Sequence, residues 1–313
     1  MGKSALAIRN VSKKFGDIVA LDLVSLDVGE GETFGLLGPN GAGKSTLINI
    51  MSGVLRRDGG EIEFLGQPLR EPTVEFKLNM GVIPQEISLY SKLTAKENLE
   101  FYGRLYGLDS STLRSRIKET LELVGLTDRQ NDRIETYSGG MKRRINIAAS
   151  ILHSPRFILM DEPTVGIDPQ SRNLIFEVIE KLHGEGVTIV YTSHYMEEVE
   201  RLCQGIAIID HGKVIATGTK SDLIALIGEL DLVEIEIEGL EASQEEAIRC
   251  GLADMDPTFS DGTLILRTAD GSGKLGGVIG FLTEKKAIVR RVTVKEPDLE
   301  SVFLHLTGKE LRD

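Results

Sequence analysis

Residues Gly38–Thr46 read GPNGAGKST and directly follow an apolar run, Thr33–Leu37, that predicts a buried strand. A G-x-x-x-x-G-K-[ST] pattern between a strand and a helix predicts a phosphate-binding loop. In such a loop the glycines let backbone N–H groups curl around phosphates, the lysine reaches the β- and γ-phosphates, and the Ser hydroxyl ligates Mg²⁺. The alternative is a glycine-rich turn without a ligand. We predict nucleotide binding by Gly38, Pro39, Asn40, Gly41, Ala42, Gly43, Lys44, Ser45 and Thr46.

The composition is that of an ordinary globular chain, with 313 residues, 41% hydrophobic and 27% charged, and two domains are expected. The net charge is −12, and the only locally basic run is Lys142–Arg144, so no nucleic-acid partner is expected. No apolar run approaches the ~20 residues that span a bilayer, and the N-terminus lacks a signal-peptide core. Cys203 and Cys250 fit no metal or disulfide framework and are expected to be reduced thiols.

Four apolar runs each end at a polar residue suited to a phosphate site. Hydrophobic strands separated by helical patterns predict a parallel sheet covered on both faces, and ligands bind beyond the carboxyl ends of such strands. We therefore predict that the polar residues converge on one crevice. The runs are Thr33–Leu37 before the phosphate loop, Gly81–Pro84 before Gln85, Phe157–Met160 before Asp161 and Glu162, and Val187–Thr192 before His194.

The adjacent acids Asp161 and Glu162 can divide two tasks between them. Asp161 would hold the metal through water, and Glu162 would act as the general base on an attacking water. The alternative is a pair of solvated loop acids before Pro163. The strand-end position of His194 predicts contact with the γ-phosphate, whereas a lone histidine is more often structural. A loop glutamine such as Gln85 is usually only solvated.

A second anion-binding device is predicted at the sequence YSGG, which precedes a helical pattern of apolar residues. Ser138 would lie at the helix N-terminus, with Gly139 and Gly140 exposing N–H groups to an anion. The alternative is simple N-capping by Ser138. Asp168 before Pro169 has the same ambiguity, because Asp followed by Pro is a common helix start.

Phe15, just before the Gly16-Asp17 turn, offers two interpretations. Its ring could stack on an adenine or could close the core, as aromatic side chains usually do. The residue alone does not separate these possibilities.

Taken together, these motifs resemble in order the motif set of ABC-transporter ATPases, over about residues 5 to 222. The resemblance implies an α/β P-loop cassette with a RecA-like parallel sheet and a helical subdomain. It implies catalysis by Glu162, His194 and Gln85, and Mg²⁺ ligation by Ser45, Gln85 and Asp161. The family's usual LSGGQ signature is YSGGM here, which leaves the serine and glycine contacts intact. The implied places are adenine stacking for Phe15, Walker A for Gly38–Thr46, Q-loop for Gln85, signature for Tyr137–Met141, Walker B for Asp161 and Glu162, D-loop for Asp168 and switch loop for His194.

The resemblance also implies partners and a location. In this family the signature of one cassette faces the Walker A loop of another, so the chain would form a homodimer that binds ATP between its copies. It would dock a separate transmembrane permease near Glu86–Leu108, at the cytoplasmic face of the cell membrane, and the permease would bind the transported substrate.

Three segments resemble an export branch that includes ATPases for daunorubicin resistance and for antibiotic, lipid and sodium export: YSGGMKRR, YTSHYMEEVERLC and EPDLESVFLHLTGKEL. The rival interpretation is a soluble ABC ATPase in DNA maintenance, translation or metal-cluster assembly. A single uninterrupted cassette and an acidic charge favour the exporter, although metal-cluster assembly stays open.

The pattern changes after Gly228, so we predict a cassette at 1–228 and an accessory domain at 229–313. Alternating strands and helices there read as βαββαβ with a tail helix, the α+β split-βαβ (ferredoxin-like) arrangement. From Leu230 onward the chain has 17 acidic and 10 basic residues. Dimer support or regulation is one possible role, and a packing appendage with a solvated acidic face is the other.

Overall fold

The computed structural model describes residues 3–228, 230–240, 242–260, 262–295 and 297–307. Their contacts divide the chain into two compact units between Lys220 and Ser221. This division lies inside the helical pattern that precedes Gly228, and the domain bounds 1–228 and 229–313 remain a prediction.

The first unit contains two sheets and the helices that cover them. The described strands are β1 (Ser4–Phe15), β2 (Ile18–Gly29), β3 (Thr33–Leu37), β4 (Gly59–Phe64), β5 (Gln67–Pro68), β6 (Met80–Ile83), β7 (Phe157–Met160), β8 (Thr188–Ser193), β9 (Gly205–Asp210) and β10 (Lys213–Gly218). The described helices are α1 (Lys44–Met51), α2 (Val74–Asn79), α3 (Ala95–Leu105), α4 (Ser110–Leu123), α5 (Gly139–Ile151), α6 (Pro169–Gly184) and α7 (Met196–Leu202), with α8 (Lys220–Ala225) at the division. Short 3₁₀ helices occupy Thr127–Arg129 and Ile134–Thr136.

The larger sheet has the strand order β10-β9-β3-β8-β7-β6. Strands β9, β3, β8, β7 and β6 run parallel to one another, whereas β10 pairs antiparallel with β9. The smaller sheet, β2-β1-β4-β5, is antiparallel in every pair. The prediction of a parallel-sheet core is confirmed, whereas the antiparallel sheet was not predicted.

Both faces of the parallel sheet are covered, as the near-continuous hydrophobic strands predict. On β7, Ile158 and Met160 pack in a core with the helical residues of α3 to α6. Phe157 and Leu159, which point to the opposite face, pack in a second core with α1 and the antiparallel sheet. The alternation of side chains along one strand therefore feeds two separate cores.

Two of the four predicted strands are shifted by one residue. Strand β6 ends at Ile83 rather than Pro84, because proline has no N–H to donate to the sheet. Strand β8 begins at Thr188 because the N–H of Val187 instead donates to Leu182 O at 3.1 Å, at the end of α6.

The second unit has the predicted split-βαβ topology. It contains the strands β11 (Asp231–Glu238), β12 (Thr258–Ser260), β13 (Thr263–Thr268) and β14 (Ile288–Lys295) and the helices α9 (Ala242–Gly251), α10 (Gly271–Glu284) and α11 (Leu299–Thr307). The strands pair antiparallel in the order β12-β13-β11-β14, and α9 and α10 occupy the two crossovers. Helix α10 begins at Gly271, because Asp270 accepts a capping hydrogen bond from Gly273 N at 2.8 Å. A short 3₁₀ turn (Ala253–Met255) lies between α9 and β12.

The second unit buries its own core, formed by β11, β13 and the inner faces of α9 and α10. Val233, Ile235, Leu264 and Leu266 line the sheet side, and Val278 lies opposite on α10. Among the described helices of the whole chain, none is long and apolar enough to cross a membrane.

Candidate functional site

The glycine loop leads from β3 into α1 and depends on close backbone approach. A Cβ at Gly38 would lie 2.3 Å from Ile209 O, so only glycine fits there. Gly43 caps α1 in a left-handed conformation, with φ of 109°, and the helix has no side-chain cap and no acidic residue in its first turn. The first N–H groups of α1 therefore form an electropositive helix start suited to phosphate. Ser45 is exposed in that first turn.

Lys44 points its ammonium into the protein rather than into solvent and is 4% exposed. Its Nζ donates to Gly38 O at 2.7 Å and to Pro39 O at 3.1 Å, and lies 3.1 Å from Glu162 Oε1. Glu162 is 6% exposed, so this is a buried ion pair between the loop after β3 and the loop after β7.

Two further loops contact the same carboxylate. Gln85, after β6, donates from Nε2 to Glu162 Oε2 at 3.2 Å. His194, after β8, places Nδ1 3.5 Å from Glu162 Oε1. The predicted convergence of the four strand ends is therefore present in the structure, with Glu162 at its centre.

Thr192, which the sequence analysis did not single out, positions both acids of the pair. Its hydroxyl donates to Asp161 Oδ1 at 2.8 Å and accepts from Glu162 N at 2.8 Å. Glu162 has φ of 44°, a left-handed conformation that costs a non-glycine residue on the order of 1–3 kcal/mol. The backbone of the predicted general base is thus strained and held by a buried hydroxyl.

Ser138 is exposed, and its described hydrogen bond is not with this cluster. It is the N-cap of α5, and its hydroxyl accepts from Met141 N at 3.2 Å. Asp168 is the N-cap of α6. Hydrogen bonds from the backbone N–H of Ser171, and then from the Ser171 side chain, lower the pKa of the Asp168 carboxyl group. Gly140 lies against Ser171, whose Oγ would be 2.2 Å from an added Cβ. The signature and the D-loop are therefore packed against each other.

Phe15 ends β1 and is 48% exposed, with Lys13 Nζ 5.5 Å from its ring centroid. An exposed ring is free to stack on a flat ligand, and the structure does not place this ring in either core.

The basic run Lys142–Arg144 is largely internal, a feature that the sequence did not reveal. Arg143 is 3% exposed and donates from Nη1 to Pro84 O at 2.6 Å and from Nη2 to Gln85 O. Arg144 is 8% exposed and donates to Val124 O at 2.7 Å. Burial lowers the pKa of Arg143, and the charge of Asp161 opposes that shift. Arg143 thus connects the signature helix to the loop that carries Gln85.

The described residues contain no group of three or more His, Cys, Asp or Glu side chains that could hold a metal ion. The three side chains predicted to ligate Mg²⁺ all offer oxygen atoms, the ligand type that Mg²⁺ prefers. Asp161 is buried, and its Oδ1 accepts a hydrogen bond from the Thr192 hydroxyl.

A buried lysine at an uncapped helix start and a carboxylate beside it supply two parts that a P-loop nucleotide hydrolase uses, a cation for the phosphates and a candidate base for the attacking water. The profile of the ABC transporter family matches residues 21–165. The linearmycin resistance ATP-binding protein of Bacillus subtilis is 45% identical over 310 residues, which cover 98% of this chain and all of that relative. The chain therefore belongs to the ABC transporter family, as one of its ATP-binding proteins, and it is an ATPase.

Two other relatives extend over nearly the full length. A Nod factor export ATP-binding protein of Cupriavidus pinatubonensis is 37% identical and covers 98% of this chain and 92% of its own length. A daunorubicin resistance ATP-binding protein of Streptomyces coeruleorubidus is 36% identical and covers 100% of this chain and 98% of its own length.

Solved structures share the fold. The ATP-binding subunit of an ABC transporter aligns with a TM-score of 0.66 at 29% identity, over 72% of this chain and 94% of that chain. A dimeric ATP-binding cassette in a post-hydrolysis state, bound to ADP and Pi, aligns with a TM-score of 0.63 at 27% identity, over 68% of this chain and 98% of that chain. These comparisons confirm the predicted cassette fold.

We expect Lys44→Ala to weaken ATP binding by about 1.5–3 kcal/mol, because it removes a charge-assisted contact to phosphate. Calorimetry on the purified chain measures the affinity, and circular dichroism checks that the variant is folded. Lys118→Ala, which removes an exposed lysine on α4, is the matched control. An unchanged affinity in Lys44→Ala would contradict the assignment of the loop.

We expect Glu162→Gln to lower ATP turnover by about 10²–10⁴-fold, the contribution of a general base. ATP affinity should be retained or increased, because the Glu162 carboxylate competes with phosphate for Lys44. Phosphate release measures the turnover, and calorimetry measures the ATP affinity. Glu185→Gln, at an exposed glutamate, is the control. Wild-type turnover in Glu162→Gln would show that another group acts as the base.

Proposed function

We propose that this chain is the ATP-hydrolysing subunit of an exporter and powers a separate membrane permease through ATP-driven dimerisation. The buried cluster around Glu162 is the observation that carries the proposal, because it brings a candidate base to a candidate phosphate-binding lysine, whereas the described hydrogen bond of Ser138 lies within α5. Full-length relatives are named for linearmycin resistance, daunorubicin resistance and Nod factor export, which supports an export role.

In this proposal each strand-end residue has one task. Lys44 leaves the Glu162 carboxylate to bind the β- and γ-phosphates, and Glu162 then accepts a proton from the attacking water. His194 would contact the γ-phosphate, and Gln85 would help to hold the metal ion and the attacking water. Phe15 stacks on the adenine.

The donor set fits Mg²⁺. Ser45 would bind the ion directly from the first turn of α1, Gln85 would contribute its amide oxygen, and Asp161 would hold the ion through water. Bound Mg²⁺ would neutralise charge that develops on the phosphates during transfer.

The second half of each ATP site would come from a second copy of the chain. Ser138, Gly139 and Gly140 form the start of α5, whose N–H groups can bind a phosphate carried by the partner's loop. A two-fold symmetric homodimer would then contain two equivalent composite sites. Met141 keeps its backbone contact with Ser138 although it replaces the usual glutamine of the signature.

The surface after Gln85 fits a membrane partner. Within the predicted docking segment, Tyr90 is 50% exposed, Phe101 is 41% exposed and Leu105 is 71% exposed. The rings of Tyr90 and Phe101 pack edge to face, with centroids 4.9 Å apart, and present a joint aromatic surface. Docking of a permease here would place the chain at the cytoplasmic face of the membrane, close to the loop that carries Gln85.

The composite site is tested by mixing two inactive variants. Ser138→Arg and Lys44→Ala chains should each lack turnover, yet their mixed dimer has one site in which neither change is present. We therefore expect the mixture to recover roughly half of the sites in each mixed dimer. Phosphate release measures this, with crosslinking of differently tagged chains to confirm mixed dimers. No recovery in confirmed mixed dimers would contradict a shared site.

The permease role is tested with Phe101→Glu, which places a charge on the aromatic surface. A membrane protein with about six spans of ~20 apolar residues, encoded beside this chain, is the candidate permease. Phe101→Glu should reduce co-purification and export while leaving the ATPase activity of the isolated chain unchanged. Leu23→Glu, at an apolar residue on β2 that is 62% exposed, is the control. Equal co-purification of both variants would contradict docking at this surface.

A further inference from the structure

Glu198, on α7, is a buried acid that the proposed chemistry does not use. It is 3% exposed, whereas its neighbour Glu197 on the same helix is exposed. A carboxylate in such a place needs hydrogen bonds or a counter-charge to offset its lost hydration. The contacts of Glu198 therefore show what its burial serves.

One oxygen of this carboxylate accepts three hydroxyl hydrogen bonds. Oε2 lies 2.8 Å from Thr164 Oγ1, 2.8 Å from Tyr191 OH and 2.9 Å from Ser193 Oγ. The other oxygen, Oε1, lies 3.7 Å from Arg172 Nη1 on α6. Burial, and then the nearby Glu198 charge, raise the pKa of Tyr191, so the phenol is a donor at neutral pH.

The three donors lie next to the residues of the proposed chemistry, with Thr164 in the loop after β7 and with Tyr191 and Ser193 at the end of β8. Thr164 lies two residues after Glu162, and its carbonyl accepts from Ile167 N at 3.1 Å in the turn that leads to the D-loop. Ser193 is the last residue of β8, directly before His194, and its Oγ also accepts from Tyr195 N at 2.9 Å. One carboxylate oxygen thus links the backbone on one side of Glu162 to the backbone on both sides of His194.

We propose that Glu198 is a positioning residue that fixes the separation between the Glu162 loop and the His194 loop. The inference rests on the proposed roles of Glu162 and His194 in hydrolysis. Loss of the carboxylate leaves three buried hydroxyls with a weaker acceptor and lets the two loops shift independently. Among the described contacts of the Lys44 side chain, which are with Gly38 O, Pro39 O and Glu162, none involves this network, so we expect ATP binding to be retained without it.

Glu198→Gln tests the proposal because it keeps the side-chain volume and removes the charge. We expect kcat of ATP hydrolysis to fall about 10- to 100-fold, as for a small misplacement of reacting groups. The dissociation constant for ATP and the number of ATP sites per chain should stay at their wild-type values. Glu197→Gln, an exposed change one residue away, should leave all three quantities unchanged.

Two single-hydroxyl deletions separate positioning from a general loss of structure. Thr164→Val and Ser193→Ala should each lower kcat in the wild-type chain but have little further effect in Glu198→Gln, because they act through the same carboxylate. The proposal would be overturned if the hydroxyl deletions lowered kcat additively with Glu198→Gln. It would also be overturned if kcat of Glu198→Gln stayed within twofold of wild type, or if its kcat fell only in proportion to a loss of ATP sites. If Glu198→Gln does not fold, wild-type kcat in both hydroxyl variants overturns it.

The proposed base is tested in the same series. Full turnover in Glu162→Gln would defeat the assignment of Glu162 as the base, the role on which the positioning proposal rests. A defective Glu162→Gln beside a fully active Glu198→Gln would defeat only the positioning role.

Discussion

The buried pairing of Lys44 with Glu162 is the constraint on which the rest of the site depends. Two charges removed from water repay their desolvation only when further hydrogen bonds satisfy them. Here two backbone carbonyls satisfy the ammonium, and Gln85 donates to the carboxylate. A phosphate can replace the carboxylate at Lys44 without leaving that lysine unpaired. In the proposed mechanism this exchange would free Glu162 to bind a water, so the pairing would join nucleotide binding to activation of the base.

Such a pair requires loops that hold their positions, and polar side chains beneath the site supply the restraint. Thr192 fixes the strained backbone of Glu162, and Arg143 holds the carbonyls of Pro84 and Gln85. Asn146, one turn further along α5, accepts from Ser88 N at 3.2 Å. Because α5 also begins at Ser138, a displacement of this helix displaces the loop of Gln85. The hydrogen bonds of Arg143 and Asn146 therefore connect the helix that begins at Ser138 to the loop of Gln85.

The sequence predicted the parts of the site that lie at strand ends. Lys44 and Glu162 follow continuous apolar runs, and the topology of a parallel sheet then requires them to meet. It did not predict Thr192, Arg143 or Glu198, because a buried polar residue inside an apolar strand or a charged helix has no local pattern of its own. Its partners are distant in sequence, as with the 34 residues that separate Thr164 from Glu198.

Arg143 shows the limit most clearly. In the run KRR it reads as part of a solvated basic patch, and only the fold reveals that two of the three cations donate to internal carbonyls. The roles of the strand-end residues in catalysis are likewise proposals, because proximity in the folded chain identifies a site but not each residue's task. Helix α10 has a glycine-rich first turn with weak helix propensity, and the Asp270 cap that offsets it is visible only in the structure.

The second unit carries an excess of acidic residues, yet the charges on one face of its sheet are paired with opposite charges. Glu234, Glu236 and Glu238 alternate along β11, where cations of β14 pair with them. Lys295 Nζ lies 2.8 Å from Glu234 Oε1, and Arg290 Nε donates to Glu238 Oε2 at 2.6 Å. Exposed pairs of this kind contribute little to stability, but they neutralise the face. Like-charge repulsion therefore does not prevent another surface from packing against this face of the sheet. A role of this unit in supporting a dimer is thus compatible with its acidic composition.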